Sequence, residues 1–145
     1  MVEPETPDPI SAAADVLGDR WTLLVLRDVI FEDRRHFRAL LTGSQEGIAS
    51  NILADRLVRL VGAGLLTRGT AARGARARYS LTEAGIQTLP VLFALGNWGL
   101  DWRNGHDGPR ARQHVVREGG AAFVGELMDE LRERHLVAGA ATSDP

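Results

Sequence analysis

Between Arg34 and Leu81 the chain carries nine arginines and only two acids, Glu46 and Asp55, a net charge of +7. The other residues carry eight arginines and seventeen acids, a net of −9, so the overall −2 conceals a strongly divided chain. A guanidinium is a planar fork of donors that fits phosphate oxygens and guanine edges. An island of such groups is the electrostatic footprint expected of a nucleic-acid-binding surface. All seventeen basic side chains are Arg and none is Lys. That bias suits phosphate chemistry, and a GC-rich coding sequence would produce it equally.

Elements that would hold these arginines follow from periodicity and punctuation. Asp8-Pro9 opens a helix in which Ile10, Ala13, Ala14 and Leu17 recur at helical spacing, and Gly18 ends it. Asp19 caps a second helix over about 20–30, with Trp21, Leu24, Val25 and Ile30 turned inward. A short helix over about 36–41 follows a charged turn. Residues 42–47 make the next turn. A longer helix begins at Ala49 or Ser50, reaches Ala63, and is closed by Gly64. Residues 65–68 and 76–81 read as two short strands around a loop, 69–74. Thr82 caps a helix reaching about Trp102, bent at Pro90. A polar break spans 104–109. A last amphipathic helix starts at Ala111, or at Ala121 after Gly119-Gly120, and runs to Leu136 with Phe123, Leu127 and Leu131 along one side.

The expected fold class is mainly α with a small β-ribbon: a winged helix-turn-helix with additional dimerisation helices. The expected organisation is a disordered N-terminus (1–7), a winged helix with dimerisation helices (8–103), a C-terminal helical extension (104–137) and a disordered tail (138–145). In the helix beginning near Ser50, Ile52, Leu53, Leu57 and Leu60 share one face at about 100° per residue. The opposite face presents Ser50, Asn51, Ala54, Asp55, Val58 and Arg59 for reading bases. Asn51 suits adenine, Asp55 the cytosine amino group, and Ala54 and Val58 a thymine methyl. Arg56 falls toward the buried side, as an ion-pair partner. The phosphate candidates are Arg34, Arg35, Arg38, Ser44, Gln45, Arg73, Arg76 and Arg78. The reading face is poor in long donors, so phosphate contacts and DNA shape would carry much of the affinity.

These residues resemble a known family. Asp8-Pro9-Ile10, Val16 to Leu26 with its Gly18-x-x-Trp21, Gly47-Ile48-Ala49-Ser50-Asn51-Ile52-Leu53, Gly64-Leu65-Leu66, Tyr79-Ser80-Leu81-Thr82-Glu83-Ala84-Gly85 and Trp98-Gly99 look like the HxlR-type transcriptional regulators. The likeness spans about 8–102. It implies a homodimer that binds an inverted-repeat operator in double-stranded DNA, joined through the N-terminal helix and the long helix after the wing. The expected interface comprises Ile10, Ala14, Leu89, Leu92, Phe93 and Trp98 on those helices, with Phe123, Leu127 and Leu131 added from the last helix. Phe93, Trp98 and Trp102 are the candidate pocket for a small aromatic effector. Many members carry a Cys before the proline matching Pro9. Here that residue is Asp8 and the chain has no cysteine, so thiol sensing does not carry over. The last helix extends past the usual family end and reads as extra dimer interface, or as closure of a ligand pocket.

Other chemistry finds little support. The histidines His36, His106, His114 and His135 are scattered, and Asp101, His106 and His114 lack the tight helical spacing of a metal site. No nucleophile–base pair stands out, and a Gly-x-x-x-x-Gly-Lys loop is impossible without Lys. The expectation is therefore a regulator, more readily a repressor than an activator. It is not an enzyme and has no cofactor or metal. The alternative is a winged helix serving as a protein-interaction module without DNA contact. The acidic, Pro-containing start has no signal-peptide pattern and no apolar run approaches a membrane span, which points to the cytoplasm.

Overall fold

The computed structural model describes residues 6–70, 76–103 and 107–137, with side chains described in 6–70, 76–103 and 112–136. These form two compact units, 1–63 and 64–145. The first unit holds α1 (Pro9–Leu17), α2 (Arg20–Glu32), α3 (Phe37–Gly43) and α4 (Ser50–Gly62). The second holds β1 (Leu66–Arg68), β2 (Tyr79–Leu81), α5 (Glu83–Ile86), α6 (Leu89–Trp102), α7 (Asp107–Arg132) and a closing π-helical turn, Glu133–Val137.

Short carboxylates start the first two helices. Asp8 accepts from the Ser11 N–H at 3.1 Å with Pro9 in the first turn, and Asp19 accepts from the Thr22 N–H at 2.9 Å. α2 ends at Asp33, a left-handed residue (φ 50°) that turns the chain toward α3. Helices α2, α3 and α4 pack on one another and bury Val25, Leu26, Val29, Ile30, Leu40, Leu53, Leu57 and Leu60. Leu53, Leu57 and Leu60 recur every three or four residues, so α4 is held by one stripe and leaves its other side outward.

In the second unit β1 and β2 pair antiparallel, Leu66 facing Leu81 and Arg68 facing Tyr79. Both strands are shorter than the sequence suggested: Arg76 and Arg78 precede β2. Thr82 caps α5 by accepting from the Gly85 N–H at 3.1 Å, and its hydroxyl donates to the Gly64 carbonyl. A Cβ on Gly85 would collide with the Leu65 carbonyl oxygen, so only glycine lets α5 approach the start of the ribbon this closely.

The long helix expected from Thr82 to Trp102 is two helices, not one bent helix. Pro90 has no N–H and would crowd the Ile86 carbonyl one turn back. The chain therefore closes α5 through Thr88, whose hydroxyl donates to the Gly85 carbonyl at 2.6 Å, and restarts with Pro90 in the first turn of α6. The polar break also ends earlier than read, since the backbone is helical from Asp107. Gly120 (φ 63°, ψ −155°) interrupts α7, so each of the two starts considered for the last helix describes one of its halves.

The second half of α7 and the π-helical turn dock within their own unit. Leu131 is fully buried, Arg132 grips the Glu83 carboxylate at 2.7 Å, and the Leu81 N–H donates to Nδ1 of buried His135 at 2.9 Å. Leu89 and Leu131, expected in a dimer interface, are completely covered by the chain itself and serve its core. No described helix is long and apolar enough to cross a membrane.

Gly85→Ala is expected to lower the unfolding free energy by about 1–3 kcal/mol, because the Leu65 backbone cannot retreat without breaking the ribbon. Urea denaturation checks it. An unchanged midpoint would show that α5 has room to move.

Candidate nucleic-acid interface

Packing against α2 and α3 decides which side of α4 faces out. Ser50, Asn51, Ala54, Asp55, Val58 and Arg59 are all exposed, and Leu53, Leu57 and Leu60 are buried. The six residues expected to read bases therefore share one open surface. Val58 is an apolar side chain left 73% exposed on this surface.

Ion pairs fix α4 from beneath and beside this surface. Arg56 Nε and Nη2 donate to the two oxygens of Asp19 at 2.7 and 3.2 Å, joining α4 to the N-terminal cap of α2. Nη1 of the same guanidinium reaches Asp55 at 2.7 Å, and Arg59 Nε reaches that carboxylate at 3.0 Å. Asp55 thus faces outward already paired with two guanidinium groups. Hydrogen bonds from Arg56, with those from Thr22, hold the Asp19 carboxyl well below the usual carboxylate range, against the opposing effect of burial. The hydrogen bonds that Arg56 donates to Asp19, ahead of the one it donates to Asp55, raise its own pKa.

A second clamp sets the turn before α4. Arg27 forks onto Glu46 at 2.7 and 2.9 Å and reaches Asp28 at 2.9 Å. The fork lowers the Glu46 pKa and raises that of Arg27. Between these residues the Ile48 N–H donates to the Ser44 hydroxyl oxygen at 3.0 Å, and Gly47 takes φ 72°. The turn that aims α4 is thus bonded at both ends.

The phosphate candidates divide. Arg38, Gln45, Arg76 and Arg78 are exposed, and Ser44 is half-buried in the turn. Arg34 leans toward Asp28, 3.5 Å away, and its side chain lies where a Cβ on Gly43 would sit. Arg35 departs from the expectation: at 3% exposure it is enclosed in the fold and does not present its guanidinium to a phosphate. Arg73 lies outside the described residues. Sequence reading passed over Arg68, which is exposed on β1, although it belongs to the same charge island. It also left Asp19 as a cap and Glu46 as a stray acid. The signal for Asp19 was Arg56 on the inward side of its helix, a cation that demands a buried partner.

Ile10 is 79% exposed, Ala14 is exposed, and α1 buries none of its residues. On α6, Val91, Leu95, Trp98 and Trp102 are exposed at helical spacing. Leu92, Phe93, Phe123 and Leu127 are half-buried. Of the Phe93, Trp98 and Trp102 trio, Trp98 and Trp102 are 59% and 74% exposed. A cavity of about 310 Å³ lies elsewhere, in the first unit, between α1, the start of α2 and the end of α4.

Comparison with known proteins agrees with this geometry. The profile of the HxlR-like helix-turn-helix family matches residues 16–107. An uncharacterized HTH-type transcriptional regulator of Mycobacterium bovis is 34% identical over 114 residues, 77% of this chain and 70% of that protein. The crystal structure of PA1607, a candidate transcription factor, superposes with a TM-score of 0.63 at 35% identity, covering 71% of this chain and 70% of that one. A candidate MarR-family regulator from Porphyromonas gingivalis, 24% identical, shares the fold with a TM-score of 0.57 over 70% of this chain and 99% of its own.

The Asp19 pairing sets a pH dependence. A carboxyl whose folded pKa lies below its unfolded value of about 3.9 stabilises the fold above that value. The contribution is lost as pH falls toward the folded value. Asp19→Asn is expected to cost about 1–2 kcal/mol at pH 7, from the weakened cap and the lost ion pair. The gap to the wild type should narrow between about pH 4 and pH 2. Urea midpoints across that range test it, and a gap constant with pH would show that the charge on Asp19 is unimportant.

Proposed function

The chain belongs to the HxlR-like helix-turn-helix family of transcriptional regulators, and from that premise we propose a homodimeric repressor that reads an inverted-repeat operator with α4. The observation that carries the reading is the exposed face of α4, bonded from below by Arg56 and Asp19. Asn51 serves adenine, and Ala54 and Val58 serve thymine methyls. Ser50, Asp55 and Arg59 meet bases or adjacent phosphates. Arg34, Arg38, Ser44 and Gln45 position the first unit on the backbone. Arg68, Arg73, Arg76 and Arg78 do so for the ribbon.

Such a face is weak in specific donors, since Asp55 and Arg59 neutralise one another. Sequence-dependent shape therefore supplies much of the discrimination. Repression follows from size: a small dimer lying on promoter DNA blocks access without needing an activation surface. Two exposed apolar surfaces favour the dimer, the side of α1 around Ile10 and Ala14 and the α6 stripe from Val91 to Trp102. Residues 8–103 form the DNA-binding and dimerising part, and 104–137 is the extension. Any effector acts without a cysteine.

Operator affinity is expected to fall steeply with salt, in proportion to about four to eight phosphates per dimer, and a flat response would sink the reading. Arg38→Ala, present in both protomers, should lower the slope of log affinity against log salt by about 2 without changing the preferred sequence. Trp98→Glu should convert a dimer to a monomer in light scattering and weaken the operator complex. A wild-type monomer at all concentrations would refute the dimer.

A further inference from the structure

We infer that the cavity between α1, the start of α2 and the end of α4 binds a small zwitterion of the amino-acid class, and that this ligand and the operator compete for Arg59. The inference rests on the DNA-binding reading for its consequence but not for the site itself.

The cavity measures about 310 Å³, at the small end of the range for ligand sites. Its lining carries charges of both signs together with apolar side chains. Asp15 and Val16 come from α1, Asp19 and Thr22 from the start of α2, and Arg59, Leu60 and Ala63 from the end of α4. The polar groups differ in what they have left to offer. Asp19 is consumed by Arg56 and by the Thr22 N–H and hydroxyl. Asp15 has no ionic or hydrogen-bonding partner among the described residues. Arg59 uses Nε on Asp55, and its two Nη groups have no partner among the described residues.

One open carboxylate and one half-used guanidinium lining the same cavity suit an ammonium and a carboxylate on the same small molecule. Val16, Leu60 and Ala63 suit a hydrocarbon side chain. A simple amine would leave Arg59 facing a cation, and a simple acid would leave Asp15 facing an anion, so each analogue lacks one interaction and suffers one repulsion.

The regulatory consequence follows from Arg59. It lines the cavity and also stands on the outward face of α4 beside Asp55. A guanidinium turned to a bound carboxylate is withdrawn from DNA and leaves the Asp55 charge less neutralised on the groove-facing side. Ligand and operator therefore oppose each other, and by linkage each weakens the other by the same factor.

Calorimetry of the full chain with L-leucine and L-phenylalanine tests the site, with isoamylamine and 4-methylpentanoate as probes lacking one charge. Saturable binding of an amino acid, and weaker binding of both analogues, is expected. Asp15→Asn should weaken the amino acid about 10- to 100-fold while leaving operator affinity of the ligand-free protein unchanged. A saturating amino acid should lower operator affinity at least about fivefold. No saturable heat from either amino acid at roughly 10 mM, or equal binding by Asp15→Asn, overturns the inference. Protein that binds operator but no amino acid refutes this site alone. Protein that binds an amino acid through Asp15 but no DNA refutes the proposed function and leaves the site standing.

Discussion

One carboxylate holds α4 in place. Asp19 caps α2 through the Thr22 N–H, accepts from the Thr22 hydroxyl, and receives two hydrogen bonds from Arg56 in the middle of α4. In the proposed complex the outer face of α4 stays open for DNA, so the helix cannot be secured from that side. It can be gripped only from beneath, by its leucine stripe, or along its edge, by a charge reaching inward. Leucines set the distance of α4 from α2 but tolerate sliding and rotation. A bidentate guanidinium fixes both, because its planar fork admits few geometries. Arg27 and Glu46 do the same for the turn that leads into α4. Within the first unit α4 is thus referenced to a fixed frame at two points.

That economy explains how the arginines are distributed. A surface chosen only to attract phosphate would leave all nine in solvent. Instead Arg56 is tied to Asp19, Arg34 leans on Asp28, Arg59 shares Asp55, and Arg35 is enclosed. Among the described residues, those remaining at the surface without such ties sit on α3, on the ribbon and before β2. The basic character read from composition is therefore partly architecture and partly surface, and the untied surface part lies outside α4. In the proposed complex affinity and sequence recognition are separable: these charges supply attraction, and the nearly neutral face of α4 supplies the fit.

Helix identities, the stripe of α4, the ribbon and the caps at Asp8, Asp19 and Thr82 were legible in the sequence because each depends on residues a few positions apart. Family membership was legible because its motifs are backbone requirements, such as Gly85 against the Leu65 carbonyl. What escaped was set by distant pairing. Nothing local distinguishes Arg35, which is buried, from Arg34, or shows that Asp19 meets Arg56 across the interior. Pro90 was recognised as disruptive, but whether a proline bends a helix or starts a new one depends on whether the preceding turn can close independently, and Thr88 closes it. Leu89 and Leu131 looked like interface residues because helical periodicity marks an apolar face without saying what covers it.

The covering of Leu131 also bears on the C-terminal extension. An amphipathic helix past the family's usual end invites a reading as dimer surface. Yet its second half places Leu131 in the core, Arg132 on Glu83 and His135 on the outer N–H of β2, all within one chain. An edge strand with an unpaired N–H is a liability, and the His135 ring removes it. With that apolar face already used at home, a partner is better sought at apolar surface left exposed among the described residues. Two such surfaces are α1, which buries none of its own residues, and the stripe of α6 that ends in two exposed tryptophans. In the proposed dimer the extension therefore braces the ribbon and α5 from behind, and the joining of two protomers falls to α1 and α6.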